Sequence, residues 1–540
     1  MYRFKLYLFL PLLLAACMMF GSARWPTAAR PPAAAPAYDL VITNGRVVDG
    51  TGNPWFRADI GIKGGRIVRV GRIDAKDAAR VIDARGQVVA PGFIDVHTHV
   101  ESIYEQPEAE NFVRMGVTSL VTGNCGTSAT DIAEFLGRIK EHPLTVNLAT
   151  LVAHGSVRQQ VLGLENRQPS PAELRRMEAI VEQAMKDGAV GLSTGLIYLP
   201  GTFAKTEEVV ALAKVAARFN GIYATHMRNE GNEVVAAIRE SLQIGEQAGL
   251  PVEISHFKIS SRKLWGESAE TVGLVREARA RGLAVTVDQY AYTASSTSLD
   301  SRLPSWLLEG GREEGKKRLG DPKTRDRVVH EMKDALKESG FKDYDYAVVA
   351  GYEPNPAFNG KSIAAITRQA RGKKDVESQI EQMIEMYMAG GAAMIYHGMS
   401  EPDVQNIMRE PFTMIASDSG VRRLGEGMPH PRGYGNNARV LGHYVRELHL
   451  LSLEDAIRKM TSLPAQTFNL RERGLLREGF SADLVIFDDS LIADRATYEQ
   501  PHQYPAGISY VIVNGQLVLA DGKLTGARPG QALRRESATD

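Results

Sequence analysis

Val88-Val-Ala-Pro-Gly-Phe-Ile-Asp-Val-His-Thr-His99 decides the fold of this chain. It is an apolar, strand-like run that ends in two histidines one residue apart. A strand has a side-chain period of two, so the imidazoles of His97 and His99 point to the same side. Neutral imidazole is a good zinc ligand. A His-x-His pair alone is a weak signal, and its place directly after Pro-Gly-Phe-Ile-Asp strengthens it.

Seven further short apolar stretches follow: Val117–Cys125, Leu144–Gly155, Ala189–Leu196, Gly221–Arg228, Pro251–Lys258, Leu283–Tyr292 and Phe412–Gly420. Amphipathic helical stretches separate most of them, for example Ala172–Gly188 and Asn232–Gly249. Eight strand-then-helix units indicate an α/β protein built as a (β/α)₈ barrel of the TIM type. In such barrels the active site forms at the C-terminal ends of the strands. Almost every stretch here ends in His, Cys, Asp or another polar residue. Catalysis gathers polar groups in this way; a purely stabilising role would scatter them.

Outside the barrel pattern, Asp39–Gly50, Ala58–Gly71 and Ala78–Gly92 read as short alternating strands with glycine turns, and so do Ala482–Asp489 and Ile508–Leu524. Neither end can form a core alone. The expectation is one composite β-sandwich domain from residues 38–92 and 475–535, flanking a barrel over 93–474. A charged, helix-rich stretch from about Leu299 to Ala389 interrupts the barrel before its eighth strand. It reads equally as a lid over the barrel mouth or as a surface excursion.

The 540 residues carry 64 basic and 64 acidic side chains, with 44% hydrophobic and 24% charged residues. That is an ordinary soluble composition, and the zero net charge with no long basic run argues against a nucleic-acid partner. The N-terminus has its own logic. Arg3 and Lys5 precede an apolar run, Leu6–Ala16, that is too short to span a bilayer comfortably. Residues 1–23 are expected to be a signal peptide for export to the periplasm, and residues 24–37 an Ala/Pro-rich linker. Leu14-Ala-Ala-Cys17 resembles a bacterial lipobox, so a lipidated, membrane-anchored Cys17 stands beside simple cleavage after Ala23. Cys125 is then the only cysteine left for the fold.

Cys125 closes the second stretch between glycines, where a thiolate can bind zinc. A small buried residue is the commoner fate of a free cysteine. His226 and His256 close the fifth and sixth stretches, in phase with Cys125. Asp418 closes the eighth, where a carboxylate serves as general base and then general acid, or else as a helix cap. His154 also ends a stretch and reads equally as pocket or structural.

Together these residues resemble the amidohydrolase superfamily, and within it the N-acyl-D-amino-acid deacylases (D-aminoacylases). Pro-Gly-Phe-Ile-Asp-Val-His-Thr-His and the Asp after the eighth strand are similar to the whole superfamily. GNCG, GLSTGLIYLPG, ISHFK, YAYTASSTSL, MSEPDV, SDSG and HPRGYG resemble the narrower family. The resemblance implies one zinc held tightly by Cys125, His226 and His256, and a weaker second position near His97, His99 and Asp418. It implies a zinc-dependent hydrolysis of N-acyl-D-amino acids, in which Asp418 takes a proton from water and gives it to the leaving amine. Lys258, Tyr290, Ser296 and Arg432 are implied to hold the substrate α-carboxylate, with Tyr290 and Tyr292 not separable. The fourth stretch lacks the bridging lysine of dihydroorotase-like and hydantoinase-like relatives. Other readings are cleavage of dipeptides with a C-terminal D-residue, opening of cyclic amides, and a non-catalytic surface lipoprotein. Three departures stand out: His-Thr-His-Val-Glu-Ser102 lacks an acidic pair after the second His, SDSG has an extra Ser, and Asn436-Asn437 replaces an expected Thr-Phe.

Overall fold

The computed structural model describes residues 36–535. The expected signal peptide, most of the linker and Cys17 lie outside the described residues. Among those described, no helix is long and apolar enough to cross a membrane.

Eight short parallel strands form the barrel. In order they are Phe93–Asp95, Val117–Thr122, Asn147–Thr150, Gly191–Gly195, Ile222–His226, Val252–Ile254, Val285–Gln289 and Thr413–Ile415. Each pairs with the next in parallel register. The third resumes after Leu151 as Val152–Ala153, and that piece pairs with the fourth. The ring closes where Asp418 N donates to His97 O (2.9 Å) and His99 N to Ser419 O (3.0 Å). The strands are short because each is buried on both faces and gives way to a polar loop at its C-terminal end.

The helices between them form for local reasons. Pro171–Lys186 starts on a capping box, with Ser170 and Glu173 each accepting the other's backbone N–H. Its buried face is Met177, Val181, Ala184 and Met185, at helical spacing.

The opening run splits between two domains. Val88–Pro91 pairs with Leu484–Phe487 in the outer sheet, and the barrel begins only at Phe93. Gly92 is the joint: a Cβ there would stand 2.2 Å from the Thr118 side chain, so only glycine fits. The sandwich expected from both chain ends is built as one continuous nine-stranded sheet. Leu40, Ile42, Ile60 and Ile62 from one end meet Leu484, Ile486 and Ile512 from the other in a core of their own.

The insertion differs from a purely helical excursion. A three-stranded antiparallel sheet, Ser295–Ser298, Ala393–Tyr396 and Ala347–Gly351, brackets its helices. The inserted unit therefore starts earlier and ends later than residues 299–389. Its helices Pro322–Glu338, Ile363–Arg371 and Val376–Met388 pack on that sheet around Val328, Met332, Ile366, Met383 and Tyr387.

Candidate metal centre

Three residues at strand ends leave the extended conformation together. Cys125, His256 and Asp418 have left-handed backbones, with φ of 52°, 36° and 49°. Each such position costs roughly 1–3 kcal/mol for a residue with a side chain, and strain of this kind concentrates at functional sites. Close packing holds the turn at Cys125. A Cβ on Gly195 would stand 2.0 Å from the Cys125 carbonyl oxygen, so the fourth strand has to present glycine there.

The turned side chains converge. Cys125 Sγ lies 3.3 Å from His97 Nε2, 3.6 Å from His256 Nε2 and 3.7 Å from His226 Nδ1. His99 Nε2 is 3.2 Å from Asp418 Oδ1, and His97 Nε2 is 3.6 Å from the same oxygen. Three overlapping groups could hold a metal ion: His97, His99 and Cys125; Cys125, His226 and His256; His97, His256 and Asp418. All six sequence-predicted metal residues thus meet in one place. The donor set fits zinc, with one sulfur and imidazole nitrogens gathered at a largely buried point.

The electrostatics favour the ligand forms. Burial raises the Cys125 thiol, but His97 and the hydrogen-bonding rings of His226 and His256 outweigh it and hold the thiol well below its usual range. Burial also raises the Asp418 carboxyl. Arg432 and His97 reverse this and hold it well below the carboxylate range, so Asp418 is ionised.

Residues 80–519 match the model of the amidohydrolase family. The chain belongs to the amidohydrolase family. This amidohydrolase is 35% identical over 525 residues to a D-aminoacylase of Alcaligenes xylosoxydans xylosoxydans, covering 93% of this chain and 98% of the relative. It is 36% identical over 523 residues to an N-acyl-D-glutamate deacylase of the same organism, covering 93% and 97%. Its fold is similar to the crystal structure of an N-acyl-D-glutamate deacylase from Bordetella bronchiseptica, complexed with zinc and a phosphonate mimic of the tetrahedral intermediate. The TM-score is 0.79 and the identity 33%, with 92% of this chain and 99% of that one covered.

Two carboxylates behind the histidines escaped the sequence reading of this amidohydrolase. Asp288 Oδ2 lies 3.0 Å from His97 Nδ1, while Asp288 Oδ1 accepts the His256 backbone N–H. Glu230 Oε1 lies 2.8 Å from His256 Nδ1, and Glu230 Oε2 is 3.7 Å from His226 Nε2. Each fixes a ring by its far nitrogen, the usual second layer of a metal site. Their signals were present, in Val-Thr-Val-Asp288 at a strand end and in Glu230 four residues after His226.

The four residues implied for the substrate carboxylate fare differently. Lys258 and Arg432 line a cavity of about 510 Å³ over the centre, each paired with a carboxylate. Lys258 Nζ bonds Glu230, and Arg432 Nη1 lies 2.9 Å from Asp418 Oδ2. Ser296 also lines the cavity, but its hydroxyl donates to Met394 O (2.8 Å). Tyr290 is buried; its ring lies 4.5 Å under the Arg432 guanidinium and its hydroxyl meets Met399 Sδ (3.6 Å) instead of the cavity. Tyr292 turns the other way, toward Asp494. His154 is tied to Glu208 (2.8 Å), beside Arg158, and stands outside the cavity lining. The insertion supplies part of the wall through Ser295, Thr297 and Arg302, and Tyr198 OH joins Thr297 Oγ1 at 3.0 Å. The departures have plain uses. Glu101 accepts from Thr122 Oγ1 (2.7 Å) and Gly123 N (3.0 Å), and Asn436 bridges Ala291 N and Ala416 O.

Proposed function

We propose that this chain is a zinc-dependent amidohydrolase that cleaves the amide bond of N-acyl-D-amino acids, releasing a D-amino acid and a carboxylate. The convergence of Cys125, His226 and His256 on one point, with Asp418 alongside, carries the reading. The relatives named as deacylases of D-amino acids support it. Cys125, His226 and His256 would hold the tight zinc, and His97, His99 and Asp418 border a weaker second position. When bound, the ion supplies electrophilic activation of the amide carbonyl and of the attacking water.

The chain's own groups do the rest. Asp418 accepts the water proton as the new C–O bond forms, then delivers it to the nitrogen as the C–N bond breaks. Lys258 and Arg432 offer cationic donors to the α-carboxylate, Arg432 with its planar fork. With carboxylate and carbonyl both fixed, the two enantiomers direct their side chains to different walls, which selects one of them.

The test is incubation of the purified protein with matched N-acetyl-D- and N-acetyl-L-amino acids. Amine release only from the D series is expected. Release from the L series alone, or from neither, overturns the reading. Dipeptides with a C-terminal D-residue present the same kind of amide and belong in the panel; hydantoin opening would favour the cyclic-amide alternative.

We also propose export to the periplasm, with the mature chain either anchored through a lipidated Cys17 or released by cleavage after Ala23. Arg3, Lys5, the Leu6–Ala16 run and Leu14-Ala-Ala-Cys17 support it. Mass spectrometry of the mature N-terminus decides between them: a diacylated Cys17 marks the anchored form and a terminus at Arg24 the released one, and an uncut Met1 overturns both.

A further inference from the structure

The cavity over the metal centre is poor in apolar wall. Ile197, Ala393 and Val421 are its only aliphatic lining apart from glycine among the described residues. Four cations line it: Lys258, Arg302, Arg422 and Arg432. Lys258 is neutralised by Glu230 and Arg432 by Asp418. Among the described residues, no carboxylate lies within 4 Å of Arg302 or Arg422. A partly buried cation without a counter-ion is unfavourable unless a ligand brings the opposite charge.

Arg422 is held for such a task. Its backbone N–H donates to Asn111 Oδ1 (3.2 Å), and the Asn111 amide, itself fully buried, donates to Gly420 O (3.3 Å) and Gly433 O (3.0 Å). The loop that carries Arg422 is thus pinned between the eighth strand and the helix that begins at Arg432. Its guanidinium makes one long contact, Nε to Ser419 Oγ at 3.4 Å, which leaves the terminal nitrogens for the cavity. Burial and the neighbouring Arg432 both lower its pKa, the sign of positive charge waiting to be met. Arg302, on the insertion, lies with its guanidinium 4.2 Å over the Tyr396 ring, and its Nε has no hydrogen-bond partner.

We propose that Arg422 is a second anion anchor of this cavity, and that the preferred N-acyl-D-amino acid carries a carboxylate in its side chain. The proposal rests on the deacylase reading above. Lys258 and Arg432 take the α-carboxylate, and Arg422 takes the side-chain carboxylate, with Arg302 adding positive potential from the insertion. A side-chain carboxylate brings Arg422 the counter-charge it lacks; an aliphatic side chain leaves that guanidinium desolvated and unmatched.

The experiment uses an isosteric pair, N-acetyl-D-glutamate and N-acetyl-D-glutamine, on the zinc-loaded protein. The wild type is expected to favour the acid by about ten- to a hundredfold in kcat/KM, mainly through KM. In Arg422→Met that ratio falls toward one, and Arg422→Lys keeps part of it. Equal use of the pair by the wild type, or an unchanged ratio in Arg422→Met, overturns the proposal. Calorimetry of the same pair on Asp418→Asn protein reads the preference without turnover. If neither amide is cleaved, the deacylase reading falls, and the calorimetric preference still scores the anchor: tighter binding of the acid supports it, and equal binding overturns it.

Discussion

Glu230 Oε1 stands 2.8 Å from His256 Nδ1, the nitrogen opposite the one that faces Cys125. Lys258 Nζ lies 2.9 Å from the same nitrogen, so the carboxylate and the ammonium together hold the ring's rotation and aim Nε2 at Cys125. The same carboxylate pairs with Lys258, so it also sets where a cavity cation sits. Glu230→Gln keeps the shape and loses the charge. Its zinc affinity should fall about 10–100-fold, read by competition with a chromophoric chelator. Affinity equal to wild type would remove Glu230 from this role.

Asp418 is expected to move the proton. Asp418→Asn should lower kcat by about 10²–10⁴-fold while the tight zinc stays bound, because Cys125, His226 and His256 are untouched. Steady-state kinetics with metal analysis of the same preparation checks both halves. Hydrolysis that survives the change would rule Asp418 out as the proton carrier.

Metal and fold should be linked. Chelation is expected to lower the melting temperature and abolish hydrolysis, and zinc to restore both. At a free zinc concentration about a thousand times Kd, binding stabilises by about 4 kcal/mol. Cys125→Ala removes the thiolate, so its melting temperature should barely respond to zinc. A full zinc response in that variant would place the ion elsewhere.

Lys459 gives a pH signature away from the centre. It is fully buried, and burial lowers its pKa from 10.5 to about 8, with Asp455 opposing. Between about pH 8 and pH 10.5 the unfolded chain binds the proton that the folded chain has released, so stability should rise with pH across that window. The slope is about 1 kcal/mol per pH unit. Below pH 8 both states are protonated and this dependence vanishes. Denaturant unfolding of wild type against Lys459→Met should show the slope only in the wild type.

The barrel and the residues that converge at its mouth were legible because polar letters broke the apolar runs at strand ends, at His97, Cys125, His226, His256 and Asp418. The carboxylates that orient those rings were harder to see. Glu230 lies in the loop after its strand, where an acidic residue is the commonest surface letter. Asp288 could be noticed, but its partner His97 is 191 residues away. The left-handed turns at Cys125, His256 and Asp418 have no signature in side-chain periodicity. The inserted sheet was missed because Ser295–Ser298 has no apolar alternation; its pairing with Ala393–Tyr396 rests on backbone bonds and on the Ser296 hydroxyl reaching Met394 O. Tyr290 and Tyr292 share one strand period; what parts them is Met399 on one side and Asp494 on the other, both distant in sequence.

The hydrogen bonds between His97 and Asp418 and between His99 and Ser419 are the seam at which the last strand meets the first. His99 and Asp418 sit on its two lips, 319 residues apart along the chain. An ion held by these two residues would act as a clasp. Proteolysis or pulling from either terminus should therefore meet more resistance in loaded protein, and the empty ring should part first at this seam. Opening the ring dismantles the catalytic apparatus, and emptying the apparatus takes a strut out of the ring.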